Sequence, residues 1–109
     1  MRWVTEMGMG VDVHGNDYTK AARRAVSDAI RHSSLNFFDA AGKNREDMQI
    51  EVVIGVAEPS RLDLDAIASE LPYGAVTVTA THGGLDVPAE SAKDPIVIAN
   101  AAVLVSFPD

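Results

Sequence analysis

The thirteen residues Gly8-Met9-Gly10-Val11-Asp12-Val13-His14-Gly15-Asn16-Asp17-Tyr18-Thr19-Lys20 constrain the fold of this chain more than any other stretch. Two glycines at strand spacing are followed by a Gly-Asn pair and then by an aspartate ahead of an alanine-rich run. That order specifies strand, turn and helix in immediate succession. Asp17 suits the N-cap, because its short carboxylate can accept from a first-turn amide that has no partner within the helix. Such strand-to-helix junctions are where α/β folds usually hold ligands.

The periodicity on either side agrees. Residues 2–14 alternate, with Trp3, Thr5, Met7, Met9, Val11 and Val13 on one face and Arg2, Val4, Glu6, Gly8, Gly10, Asp12 and His14 on the other. The first set is expected in the core. The second leaves bare backbone at its glycines, where a ligand, side chain or second backbone can come close. The helix is expected to run to about His32, burying Ala22, Val26, Ala29 and Ile30 with Ala25 alongside. Arg23, Arg24, Ser27, Asp28 and Arg31 then face outward, and Asp28 is placed to pair with Arg24. Ser33 to Asp47 reads as loop, whose Leu35, Phe37 and Phe38 are expected to cover a core edge or meet a neighbouring subunit.

Gln49 to Ala57 is nearly continuous in Val and Ile, as in a buried parallel strand. A second helix is expected over Leu62–Leu71, where Leu64, Ile67, Ala68 and Leu71 share a face before Pro72 and Gly74 stop it. A third strand follows over Ala75–Thr81. Residues 83–95 read as irregular, and Pro95–Phe107 supplies one or two strands, most clearly over 101–107. The expected architecture is a single α/β domain over residues 1–109. It is a two-layer sandwich with a mostly parallel four-stranded sheet, βαβαββ in order, and both helices on one face. A single helix layer leaves the other face open, so a homo-oligomer is expected, with the site at or near a subunit interface.

Composition narrows the function classes. The chain has 109 residues, enough for one domain with a real core, and 47% of them are hydrophobic, which excludes disorder. Sixteen acids against nine Lys/Arg give a net charge of −7, which argues against nucleic acid as the main partner. With no cysteine there can be no disulfide, thiolate metal site or thiol catalysis. No apolar run approaches the length of a membrane span and no secretory signal is evident, so a cytoplasmic protein with no membrane partner is expected.

Three kinds of chemistry fit the opening segment. Lys20, Arg23 and the start of the helix can hold the anionic part of a small molecule, with Gly8, Gly10, Gly15, Asp17 and Thr19 lining the approach. Asp12, His14 and Lys20 are the candidates for proton transfer. Asp12 and His14, two apart on a strand, could join His82 at the end of the third strand to ligate a divalent metal, the one cofactor these residues suggest. Each has a structural alternative: Asp17 as a cap, His14 as a turn residue, His82 as a polar strand end, Lys20 as a solvated first-turn lysine. The glycines do not form a dinucleotide fingerprint, since position 13 is Val, and no Walker lysine motif is present.

The core Gly-x-Gly-x-Asp-x-His-Gly-x-Asp-x-Thr-Lys, carried by Gly8, Gly10, Asp12, His14, Gly15, Asp17, Thr19 and Lys20, resembles the opening of a small family of conserved hypothetical proteins of bacteria and some fungi. The resemblance covers the whole chain and implies no established activity. More loosely, the stretch Ala21 to Glu58 is similar to one repeat unit of the cyclic-amide ring-opening hydrolases, the cyanuric acid hydrolase and barbiturase group. That likeness implies amide or ring-opening hydrolysis, with Lys20 as the one matching candidate. Two functional expectations therefore stand together: a small-molecule enzyme or binding protein, and a non-catalytic homo-oligomeric assembly protein.

Overall fold

The computed structural model describes residues 2–31, 47–71, 74–88 and 94–107, with side chains from residue 5 onward. Strand β1 (Arg2–Asp12) leads into helix α1 (Tyr18–Arg31), followed by β2 (Gln49–Val56) and a single 3-10 turn (Pro59–Arg61). A short helix α2 (Leu64–Ala68), then β3 (Ala75–His82), β4 (Leu85–Val87) and β5 (Ile96–Ser106) complete the order. The expected Leu35, Phe37 and Phe38 cover lies outside the described residues.

The α/β class and the shared helix face hold, but the sheet is not the mostly parallel four-stranded one that the sequence suggests. It has five strands in a mixed arrangement, ordered β1-β5-β2-β3, with β4 pairing β5. β5 runs antiparallel to both β1 and β2, and β2 runs parallel to β3. The three strands that precede or follow helices therefore do point one way. The last strand has inserted between the first two of them, turning a parallel set into a mixed sheet. β4 lies in the segment read as irregular, and its pairing of Leu85 with Ile98 and Val87 with Ile96 continues alongside β5 past the end of β2. The second helix is shorter than its apolar spacing implies, since Asp63 caps it by accepting from the amide of Ala66 at 3.1 Å.

The two faces of β1 are also exchanged relative to the sequence reading. Gly8 and Gly10 lie beneath α1, where a Cβ on either would run into the backbone of Ala25 and of Ala29 or Ala21. The alanine stripe of α1 (Ala21, Ala22, Ala25, Ala29) is fully buried, so helix and strand approach backbone to backbone. A vacant face on a strand is thus the face that a small-residue helix covers. Paired strand residues share a face, so Ala101 opposite Gly8, Ala99 opposite Gly10 and Val97 opposite Asp12 lie on this side too, and all three are buried. Ile50, Val52, Ile54 and Val56 of β2 and Ile67 of α2 belong to the same core, with Val26, Met48, Val103, Val105 and Phe107. Full burial of each such Val or Ile contributes about 1.5–3 kcal/mol.

Met7 and Met9, expected inside, are 74% and 54% exposed. They stand on the uncovered face with Val13, Leu85 and Val87, which are exposed as well. Val11, Ile98, Ala102 and Leu104 lie half-buried among them. The apolar strip runs over β1, β5 and β4. Toward β3 the same face becomes polar, through Glu51, Thr77, Thr79 and Thr81.

Candidate functional site

β1 ends beneath the first turn of α1, and this junction places most of the motif. Asp12 is 2% exposed. Its Oδ2 accepts from the backbone amide of Asp17 at 3.0 Å, and its Oδ1 lies 3.6 Å from Lys20 Nζ and 3.8 Å from a guanidinium nitrogen of Arg24. Asp17 in turn caps α1, accepting at Oδ1 from the amide of Lys20 at 3.0 Å. Gly15 takes a positive φ of 88° to make the turn, and its amide donates to Asp94 at 3.0 Å. Thr19 Oγ1 accepts from the amide of Asp63 at 2.9 Å, tying α1 to the cap of α2.

Of the candidate catalytic residues, Asp12 and Lys20 meet, whereas His14 is exposed beyond the end of the strand. His82 ends β3 on the same rim as β1, but β5 and β2 stand between, a separation of roughly 14 Å at three interstrand spacings. Among the described residues, no group of three His, Cys, Asp or Glu side chains is arranged to hold a metal.

The space over the Cα atoms of Gly8 and Gly10 is filled by α1 and leaves no room for a ligand there. The open space lies on the outer flank of α1, a groove of about 610 Å³ lined by Asp17, Thr19, Lys20, Arg23, Arg24, Ser27 and Glu70. Three cations border it. Arg23 is held by Glu70 at 2.6 Å, while Lys20 and Arg24 lean toward the buried Asp12.

A second polar cluster escapes a motif-based reading. Tyr18, the first residue of α1, is buried, and its hydroxyl donates toward Glu58 Oε2 at 2.9 Å and toward Asp86 Oδ2. A phenol has one proton, so it serves one carboxylate at a time. Burial, then the hydrogen bonds to Asp86 and Glu58, push the Tyr18 phenol well above its ordinary range. Arg61 stacks its guanidinium 4.7 Å from the ring centroid, pairs with Glu58 at 3.2 Å and donates to the carbonyl of Asn16 at 3.1 Å. Asp86 Oδ1 and Asn16 Oδ1 are buried beside this cluster without a hydrogen-bond partner among the described residues. The local signal for it was the alternation Leu85-Asp86-Val87, which puts one acid on the helix side of a short strand.

Residues 2–105 match the model of a family described as conserved hypothetical protein, the Lin0512 family. The chain belongs to that family. A crystal structure of an FtsZ-like protein of unknown function from Nostoc punctiforme is similar to it at 36% identity. The match covers 100% of this chain and 97% of that one, with a TM-score of 0.90. No curated protein matches the chain. Within this family member the shared opening motif is largely spent on structure. Gly8 and Gly10 admit the helix, Asp12 and Asp17 brace and cap it, Gly15 turns the chain, and Thr19 fastens α2.

Proposed function

We propose that this member of the family is a homo-oligomeric assembly module that packs its uncovered sheet face against a second copy of itself. One observation carries the reading: the helix layer covers one face of the sheet, while the other presents a largely apolar strip around Met7, Met9 and Leu85, broken by the exposed Asn100 opposite Met9. Two chains of charge −7 repel each other, so a self-contact is favoured where acids are absent. The strip over β1, β5 and β4 meets that condition, since its outward side chains include no Asp or Glu. Methionine suits such a surface because its unbranched chain adapts to whatever it meets.

The test is the solution mass of the wild type against Met7→Glu/Leu85→Glu. The wild type should weigh an integer multiple of the single chain, and the double variant should fold as a monomer. A wild type that stays monomeric at micromolar concentration overturns the reading.

A second reading is favoured by the groove on α1. There Lys20, Arg23 and Arg24, with the hydroxyls of Thr19 and Ser27, would take a compact anionic small molecule, a phosphate or carboxylate. The hydrolysis implied by the looser likeness would fall to Lys20 beside Asp12. Ligand-dependent thermal stabilisation of the wild type, lost in Lys20→Ala/Arg23→Ala, tests it.

A further inference from the structure

Among the described residues β1 is an edge strand, paired on one side by β5. In an antiparallel ladder, residues alternate between bonding the neighbour and pointing their N–H and C=O outward. Met9 and Val11 are outward residues, and both are met by side chains of α1. The Met9 amide donates to Asp28 Oδ2 at 3.0 Å, and the Val11 carbonyl accepts from Arg24 at 2.6 Å. Arg24 and Asp28 are one helical turn apart, so they reach the edge at neighbouring outward positions. Beneath them runs a groove of about 370 Å³ between strand and helix, lined by Met9, Gly10, Val11, Arg24, Ser27, Asp28 and Arg31.

We propose that Arg24 and Asp28 are an edge guard, occupying the outward donor of Met9 and the outward acceptor of Val11 and so blocking strand addition to this end of β1. An unguarded edge this long and this apolar is a template for pairing with another copy. The guard uses charged groups, whose hydrogen bonds to backbone are stronger than neutral ones. This goes beyond face-to-face assembly and does not depend on it: this end of the edge is closed whether or not the face is covered.

Amide exchange and solution mass test the guard. In the wild type the Met9 amide should exchange more slowly than the outward Met7 amide. In Asp28→Ala it should speed up by roughly tenfold, and Asp28→Asn, which keeps an acceptor, should restore most of the protection. Arg24→Ala/Asp28→Ala should form larger, concentration-dependent species than the wild type. Adding Met9→Pro, which removes the outward N–H without touching the β5 ladder, should return the mass to that of the wild type. Equal exchange of Met7 and Met9 in the wild type overturns the proposal without any variant. So does a double variant of wild-type mass, or a triple variant that stays large. Should Arg24→Ala/Asp28→Ala fail to fold, Arg24→Met/Asp28→Ala, which keeps an apolar stem at position 24 but no donor, is read the same way. Failure of the guard leaves the mass of Met7→Glu/Leu85→Glu unaffected, so the two readings fall separately.

Discussion

The amide of Asp17 donates to the buried carboxylate of Asp12 across 3.0 Å, so the last residue of β1 holds the residue that caps α1. The junction is thereby a chain of two carboxylates and two backbone amides, each anchoring the next. Removing the first link should be felt. Asp12→Ala leaves the Asp17 amide without its acceptor, a loss of about 1–3 kcal/mol. That corresponds to a fall in Tm of roughly 5–15 °C for a domain of this size. Asp12→Asn retains an acceptor oxygen and should lose less, as measured by thermal denaturation at neutral pH. The reverse order would mean that the charge facing Lys20 and Arg24 matters more than the acceptor.

Two glycines of the same motif should respond differently to alanine. At Gly10 the new methyl meets the backbone of α1, and the helix must lift away. Such overpacking costs about 1–3 kcal/mol or more. At Gly15 there is open space around the Cβ, and only the positive φ of 88° opposes the change. That backbone term is about 1–2 kcal/mol. Gly15→Asn should recover part of it, because asparagine tolerates the left-handed region, whereas no residue with a Cβ should recover Gly10. Chemical denaturation of the four proteins, wild type included, checks the contrast.

Tyr18 gives a pH dependence with a definite sign. Its folded-state phenol ionises well above the unfolded one. The stability linked to it is therefore complete below the ordinary phenol value of about 10 and is lost as pH rises beyond that. Between pH 9 and pH 11.5 the wild type should lose stability more steeply than Tyr18→Phe, by up to about 1.4 kcal/mol per pH unit. Matching slopes for the two proteins would show that the phenol ionises alike in both states.

Around the groove of α1, Lys20→Ala/Arg23→Ala should fold with a Tm within a few degrees of the wild type, since the Arg23–Glu70 pair is partly exposed and contributes about 0–1 kcal/mol, and the buried Asp12 keeps Arg24 and the Asp17 amide when Lys20 is removed. If the groove takes anions, millimolar inorganic phosphate or a dicarboxylate should raise the Tm of the wild type and leave the variant unmoved. Equal shifts in both proteins would assign the effect to general salt.

Much of the fold was legible because local rules and the tertiary structure agree where the chain is most regular. The cap at Asp17, the alanine stripe of α1 and the β2 run of Val and Ile all fall where their patterns put them. What failed was anything set by distant segments. The alternation of β1 is plain, but which face is buried depends on a helix small enough to fill the glycine side. That requires reading Gly8 and Gly10 together with Ala21, Ala25 and Ala29. The position of β5 cannot be seen in its own residues, since both faces of Ile96–Ser106 are apolar and nothing local selects its neighbours. Of the proposed site, the contact of Asp12 with Lys20 follows from the sequence, while Tyr18, Glu58 and Asp86 come from three separated stretches with no shared spacing.

The insertion of β5 between β1 and β2 has a kinetic consequence. β1 has β5 as its ladder partner, and roughly a hundred residues separate the earliest pair formed by the two strands, Arg2 with Ser106. β1 and its helix must therefore wait for β5, made much later along the sequence, before the sheet can register. Folding should be slow and late for so small a domain, and during that interval the β5 side of β1 lies bare.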